Sequence, residues 1–208
     1  MSMHKDVQIS EAVPNQLNAI VLLHISAFPG FFLTFLGRGF LTHLYRGFMR
    51  HKQSCLLTAT DERGRVVGFV AFSEDISGFY RYLLKRSFIP FAWYSLLAVF
   101  RKPDAMLRLL RALTRPKESD RHESYAELTS IGVASQYANL GIGGLLVNAV
   151  IHKVDFNRMA YLKLETDAVG NERVNGFYRR NGFVLDHSYE TPEGRKMNEY
   201  RYVPPVNA

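Results

Sequence analysis

The stretch "SQYANLGIGGLL", residues 135–146, decides how the fold is read, because it sets Gly141, Gly143 and Gly144 between a polar turn and an apolar run. A backbone this bare at a helix start lets successive N–H groups point at an anion, just where the helix's own first donors lack partners. A Gly-x-Gly-Gly loop also occurs without any ligand, so its neighbours have to decide. Before it, "SYAELTSIGVAS" (124–135) has the character of a strand. After it, "GIGGLLVNAVIHKVDFNRM" (141–159) reads as a helix and "AYLKLETDA" (160–168) as the next strand. Strand, glycine turn, helix, strand is a crossover unit, which makes parallel strands and puts its turn at their carboxyl ends, where open α/β sheets bind ligands.

Working outward, "DVQISEAV" (6–13) alternates as a first strand, and Pro14 opens a helix over "NQLNAIVLLHISAF". A second helical region, "FLTFLGRGFLTHLYRGFMRH" (32–51), follows the break at Phe28–Gly30; both helices are expected to be amphipathic. "SCLLTATD" (54–61) and "RVVGFVAFSED" (65–75) form a hairpin across "ERG". Beyond the crossover unit, "NERVNGFYRRN" (171–181) is a short helix, and "GFVLDHSYET" with "RKMNEYRYV" closes the chain as a strand pair. The expected fold is α/β, a mixed and mostly antiparallel sheet flanked by helices, in one domain over residues 1–208 with a helical insertion at about 77–117 before the fourth strand.

Two familiar phosphate loops fail on spacing. No Gly-Lys-Ser or Gly-Lys-Thr follows Gly141 or Gly144, which removes the nucleoside triphosphate loop. Leu146 stands where the dinucleotide fingerprint needs its third small residue, which removes a nicotinamide cofactor. A third pattern fits: "IGVASQYANLGIGGLL", followed about thirty residues later by "NERVNGFYRRNGF", resembles the two signature blocks of the GNAT superfamily of acyl-coenzyme A dependent N-acyltransferases. Gly141 and Gly143 match the glycines of that family's loop, and Asn171, Val174, Phe177, Tyr178, Gly182 and Phe183 match the second block. The loop departs from the family at Ala138, where an Arg or Gln is usual, and Gln136 and Asn139 are the nearby side chains able to compensate.

The resemblance implies acetyl-CoA as acyl donor and direct transfer of an acetyl or other short acyl group to a primary amine. The main-chain groups of Ile131, Gly132 and Val133 are expected to hold the pantetheine arm. Those of Asn139, Leu140, Gly141, Ile142, Gly143 and Gly144 are expected to hold the pyrophosphate, with Asn171 and Tyr178 completing the donor site. The chemistry needs a neutral amine, a stabilised oxyanion and a proton for the departing thiolate. Tyr178 is the expected general acid, since a phenol near pKa ~10 can protonate a thiolate near ~8.5. Glu127 is the expected general base, with Glu165 as its competitor, and strand alternation puts Glu127, Thr129 and Ile131 on one face.

Other chemistries find no support in the residue pattern. The histidines at 24, 43, 51, 122, 152 and 187 lack ligand spacing, so no metal is expected, and Cys55 stands alone in an apolar run as a small buried hydrophobe. A single cysteine and an N-terminus without a signal-peptide core suggest a cytoplasmic protein.

Net charge is +7, and residues 77–117 hold nine Lys or Arg against Asp104 alone, interleaved with aromatics, so the positive charge is a property of the insertion rather than of a nucleic-acid surface. Its uncharged run "SFIPFAWYSLLAVF" would span only about 21 Å as a helix, short of a bilayer core of about 30 Å. The insertion is read as a lid over the acceptor site, an interfacial element touching anionic lipid at the inner face of a membrane, or a homodimer contact. A basic lid would suit an acidic acceptor such as an amino sugar on a nucleotide diphosphate. Two rival functions are carried beside the transferase: a non-catalytic acyl-CoA-binding module, and a membrane-peripheral acyltransferase using a longer donor or a lipid-linked acceptor.

Overall fold

The computed structural model of the chain describes residues 7–86, 123–192 and 194–205. The hairpin expected after residue 54 forms as β2 (Ser54–Thr60) and β3 (Val66–Ser73). Asp61 organises its turn: the carboxylate accepts the N–H groups of Arg63 (3.1 Å) and Arg65 (2.9 Å). The edge strand β1 (Gln8–Glu11) pairs antiparallel with β2, and β3 pairs antiparallel with β4 (Tyr125–Val133). The crossover unit delivers β5 (Tyr161–Asp167) parallel to β4, and the closing pair β6 (Val184–Glu190) and β7 (Lys196–Tyr202) completes one sheet in the order β1-β2-β3-β4-β5-β7-β6. All the described pairings other than β4 with β5 are antiparallel, as the sequence led us to expect.

Two apolar clusters cover the two faces. α5 (Ile142–Lys153) and α6 (Glu172–Arg180) bury Ile142, Leu146, Val150 and Tyr178 against Val70, Leu128, Leu162 and Tyr200. On the other face, α1 (Leu17–Ala27), α2 (Phe32–Phe35) and α3 (Gly37–Phe48) bury Ile20, Phe40, Leu41 and Tyr45 against Leu56, Phe69 and Ala71. Burying a large apolar side chain contributes about 1.5–3 kcal/mol. These two layers therefore anchor the β2–β4 region from both sides.

Several boundaries differ from the sequence expectation for local reasons. A 3-10 turn at Pro14–Gln16 precedes α1, and the helical run 32–51 breaks into α2 and α3 at Gly37, where φ is +87°. α5 stops at Lys153 rather than Met159: Val154 is extended, and Asp155 collects the N–H groups of Asn157, Arg158 and Met159 into a turn. α3 has the expected apolar and polar sides, whereas α1 turns Leu22 outward at 49% exposure.

Of the insertion, the first part is described. A helix α4 over 76–86 stacks Phe79 on Phe48, with ring centroids 4.0 Å apart, and buries Leu83 against Gly47, while Arg81, Lys85 and Arg86 are exposed. The run "SFIPFAWYSLLAVF" and the remaining basic residues lie outside the described residues, and with them the lid, lipid and dimer readings. No helix among the described residues is long and apolar enough to cross a membrane.

Candidate active site

β4 and β5 begin side by side and then part. Their register holds only for Tyr125 with Tyr161, Ala126 with Leu162, and Glu127 with Lys163, yet β4 runs on to Val133 and β5 to Asp167. Glu127 therefore stands at the vertex of a cleft, and beyond it β4 has no ladder partner on its β5 side among the described strands. A main-chain edge left open in this way can hydrogen-bond an extended ligand.

The register with β3 slips between Ala71 and Phe72, so Thr129 is an extra residue in β4, and its hydroxyl donates to the Ala71 carbonyl at 3.1 Å. This bulge corrects the strand alternation expected for Glu127, Thr129 and Ile131. Ile131 and Val133 pack with the α5 and α6 cluster, on the same face as Ala126 and Leu128, whereas the Glu127 side chain lies on the opposite face against Lys163. Gly132 turns to the α1 face, where Phe69 and Ala27 close over it.

The glycine loop sits at the cleft's mouth, between β4 and α5. Asn139 (φ +62°) and Gly141 (φ +78°) both take left-handed conformations, and Gly141 is the N-cap of α5 with no side-chain cap. Among the described residues, no acceptor meets the N–H groups of Leu140, Gly141, Ile142, Gly143 or Gly144. Gly143 is bare for a second reason: a Cβ there would lie 3.2 Å from the Phe177 ring of α6. The loop is braced from the hairpin, because the Tyr137 hydroxyl donates to Asp61 (2.8 Å) and accepts from Arg65 (2.9 Å). The hydrogen bond from Arg65 is the main cause holding the Asp61 carboxyl far below the usual carboxylate range.

α6 brings the second sequence block against this loop. The Asn171 amide donates to Thr166 Oγ1 (2.8 Å) and the Asp167 carbonyl (3.3 Å), which ties the helix start to the end of β5. Asn175 is buried, donates to the Asp167 carbonyl (2.9 Å) and accepts from Asn198 and Tyr200, locking α6 to β7. Tyr178 is 6% exposed, with its ring among Phe177, Phe183 and Tyr200. Its hydroxyl has no hydrogen-bond partner among the described residues, and burial pushes the phenol above its ordinary value, so it is protonated at neutral pH.

Across the vertex lies a network that the sequence reading missed. Lys163, 1% exposed, holds its ammonium 3.7 Å from Glu127, 3.3 Å from Glu165 and 3.5 Å from Glu199. Burial alone would lower this ammonium's pKa, but the three carboxylates outweigh it and raise it. Tyr189 donates to Glu165 at 2.6 Å, so the competing base is bound on both oxygens, and Arg201 donates to Glu199 at 3.1 Å. The available signal was the alternation in "LKLE", in which Leu162 and Leu164 face the core while Lys163 and Glu165 share the other face.

Elsewhere, Asp186, His187 and Glu199 converge, but the Arg201 guanidinium bridges Asp186 (2.8 Å) and Glu199 (3.1 Å), which fills the trio with a cation and disfavours a metal ion. Cys55 is partly buried, and burial pushes its thiol up to about 11, the opposite of an activated nucleophile.

Comparison with known proteins agrees with this architecture. Ard1 from Thermoplasma volcanium superposes with TM-score 0.60 at 14% identity, covering 96% of this chain and 99% of its own. NAA60 from Arabidopsis thaliana in complex with a bisubstrate analogue gives 0.61 at 13% identity over 97% and 100% of the two chains, and the same protein is known with acetyl-CoA bound. The ribosomal-protein-S18-alanine N-acetyltransferase of Escherichia coli gives 0.55 at 15% identity over 98% and 97%. No curated protein sequence matches. The sequence model of the acetyltransferase (GNAT) family matches residues 23–183, most of the chain, and the chain belongs to that family.

Proposed function

We propose that this chain, acting as one domain, transfers an acetyl group from acetyl-CoA to a primary amine by direct attack, without an acyl-enzyme. The family assignment carries the enzyme class and the donor, since GNAT enzymes use acetyl-CoA and need no metal. The observation that carries the residue roles is the parting of β4 from β5 at Glu127, with the glycine loop's N–H groups at the open end. Those N–H groups and the helix dipole of α5 suit a pyrophosphate, and the open edge of β4 at Ile131–Val133 suits the amides of a pantetheine arm.

Glu127 accepts the proton of the incoming ammonium, directly or through a water. The lone pair of the neutral amine then attacks the thioester carbon; the C–N bond forms, the C–S bond breaks, the thiolate takes the Tyr178 hydroxyl proton, the proton lost from the acylated nitrogen returns to the Tyr178 phenolate, and Glu127 releases its own proton to solvent. Burial raises the phenol above the matched value expected from the sequence, but a thiolate released beside it, away from water, would be disfavoured in the same way, so the driving force between the two groups would be largely preserved. The acceptor class is narrower than the family supports. An amino sugar is the first candidate, and the names of neighbours such as the S18-alanine enzyme add peptide amino termini to the panel.

The test is calorimetric titration with acetyl-CoA, then turnover on amino sugars and short peptides, with Tyr178→Phe beside the wild type. Loss of about 10² or more in kcat with donor affinity retained is expected for a general acid. Full turnover by Tyr178→Phe at every pH would remove the role, and binding without turnover on any amine would favour the non-catalytic module.

A further inference from the structure

We infer that Arg173, at the start of α6, supplies the cationic contact to the donor's pyrophosphate that Ala138 in the loop cannot make. The inference rests on the proposed use of the glycine loop as the pyrophosphate site. It begins from an imbalance. A loop that presents the N–H groups of Leu140–Gly144 to a dianion carries no charge of its own, and position 138 offers only a methyl group. Main-chain donors orient a phosphate, but a guanidinium adds a charge-assisted, two-pronged contact that a neutral loop lacks.

Among the described residues two guanidiniums reach this loop: that of Arg65 is paired with Asp61, and that of Arg173 is not. Arg173 donates from Nη2 to Asn139 Oδ1 at 2.7 Å, across 34 residues of sequence. Asn139 is two residues before the N-cap of α5 and in a left-handed conformation, so its short side chain fixes the guanidinium beside the unpartnered N–H groups. Arg173 is exposed, and among the described residues no carboxylate pairs with it. A guanidinium has five N–H donors, and the bond to Asn139 uses one, leaving the others for an anion. An amide oxygen is a suitable tether because it orients the guanidinium without neutralising it. Asn139 therefore contributes by holding Arg173 as well as through its main chain.

The test is a binding series with coenzyme A and dephospho-coenzyme A on the wild type, Arg173→Gln, and Arg173→Gln combined with Ala138→Arg. Arg173→Gln is expected to weaken both ligands about tenfold, equivalent to about 1.4 kcal/mol, and by the same factor, because both carry the pyrophosphate. Restoring an arginine at 138 is expected to recover most of the loss. That recovery separates phosphate contact from scaffolding, since an arginine at 138 can replace the charge but not the tether to Asn139. Unchanged affinity in Arg173→Gln would overturn the inference and leave the donor site intact. A loss that Ala138→Arg fails to recover would make Arg173 a structural brace. A loss seen with coenzyme A but absent with dephospho-coenzyme A would move the contact to the 3′-phosphate and overturn the pyrophosphate assignment. Failure of the wild type to bind either ligand would instead refute the underlying reading of the loop.

Discussion

Replacing Lys163 with Met keeps the volume of the side chain and removes the ammonium that Glu127, Glu165 and Glu199 share. With separations of 3.3, 3.5 and 3.7 Å and an effective dielectric of about 20, each pairing is worth about 5 kcal/mol before desolvation is counted. Most of that gain offsets the removal of the charges from water, and an intact buried network of this kind contributes little net stability. Breaking it by removing one partner is a different matter, because the remaining charges keep their desolvation and now repel, at a cost of about 3–5 kcal/mol. We expect Lys163→Met to lose that amount at pH 7.5 in urea-melt measurements, a large part of the stability of a typical domain.

The deficit has a predicted pH dependence. It should shrink toward pH 4.5, since protons taken up by the carboxylates relieve the repulsion. At the alkaline end, the folded-state pKa of Lys163 lies above its unfolded value of ~10.5, so its contribution is complete below that pH and is lost as pH rises through the folded value. The wild type should therefore approach the variant only at strongly alkaline pH. Ionisation of the buried phenols Tyr45 and Tyr178 destabilises both proteins alike there and cancels in the difference. A loss under about 1 kcal/mol at pH 7.5, or a deficit constant from pH 5 to 8, would refute the coupled-network reasoning.

Other perturbations follow from the same geometry. His24 is buried beside Tyr45, its Nδ1 2.6 Å from the hydroxyl, and desolvation lowers its pKa to about 4; its contribution is complete above pH ~6.5 and declines by about 3 kcal/mol as pH falls to 4, so His24→Leu should flatten that acid limb in urea melts. Gly141→Ala meets no clash but must adopt φ +78°, at roughly 1–2 kcal/mol, measurable by thermal melting. Gly143→Ala must push Phe177 aside, and should weaken donor binding through α6 with little change in backbone strain, as calorimetry would register. Asp61→Ala releases Tyr137 from below the loop and should raise KM for acetyl-CoA a few-fold with kcat nearly unchanged in steady-state assays.

The strand order and the crossover at the glycine turn were legible because each rests on local signals: strand-like runs in β2 and β3, helical character in α5, and the Gly64 turn between the two strands, although the part Asp61 plays in that turn was not. The bare backbone of the loop at a helix start was legible as well, but its glycines turned out to serve two purposes. Gly141 meets a backbone requirement, whereas Gly143 makes room for a ring 34 residues further on, which no local pattern can announce. Arg173 and Lys163 were missed for the same reason: a charge is assigned to solvent or to a neighbour in sequence until the fold brings Asn139 or Glu199 against it.

The Thr129 bulge was illegible because nothing in "ELTSIG" distinguishes an extra residue from a regular one, yet it decides the site's geometry. Without it, Glu127 and Ile131 would share a face; with it, the carboxylate points to one side of the sheet and the side chains of Ile131 and Val133 to the other. A ligand lying in the gap between β4 and β5 then meets neither face of β4 but its edge, which consists of main-chain N–H and C=O groups common to every residue type. Side-chain changes at 131 and 133 that preserve volume should therefore leave donor affinity nearly unchanged, while deleting Thr129, which keeps Glu127 and Ile131 on opposite faces but removes the local bend, should weaken donor binding by changing the path of that edge. That contrast, if measured, would place the donor's recognition in the path of the backbone, which the sequence encodes only through the packing that bends it.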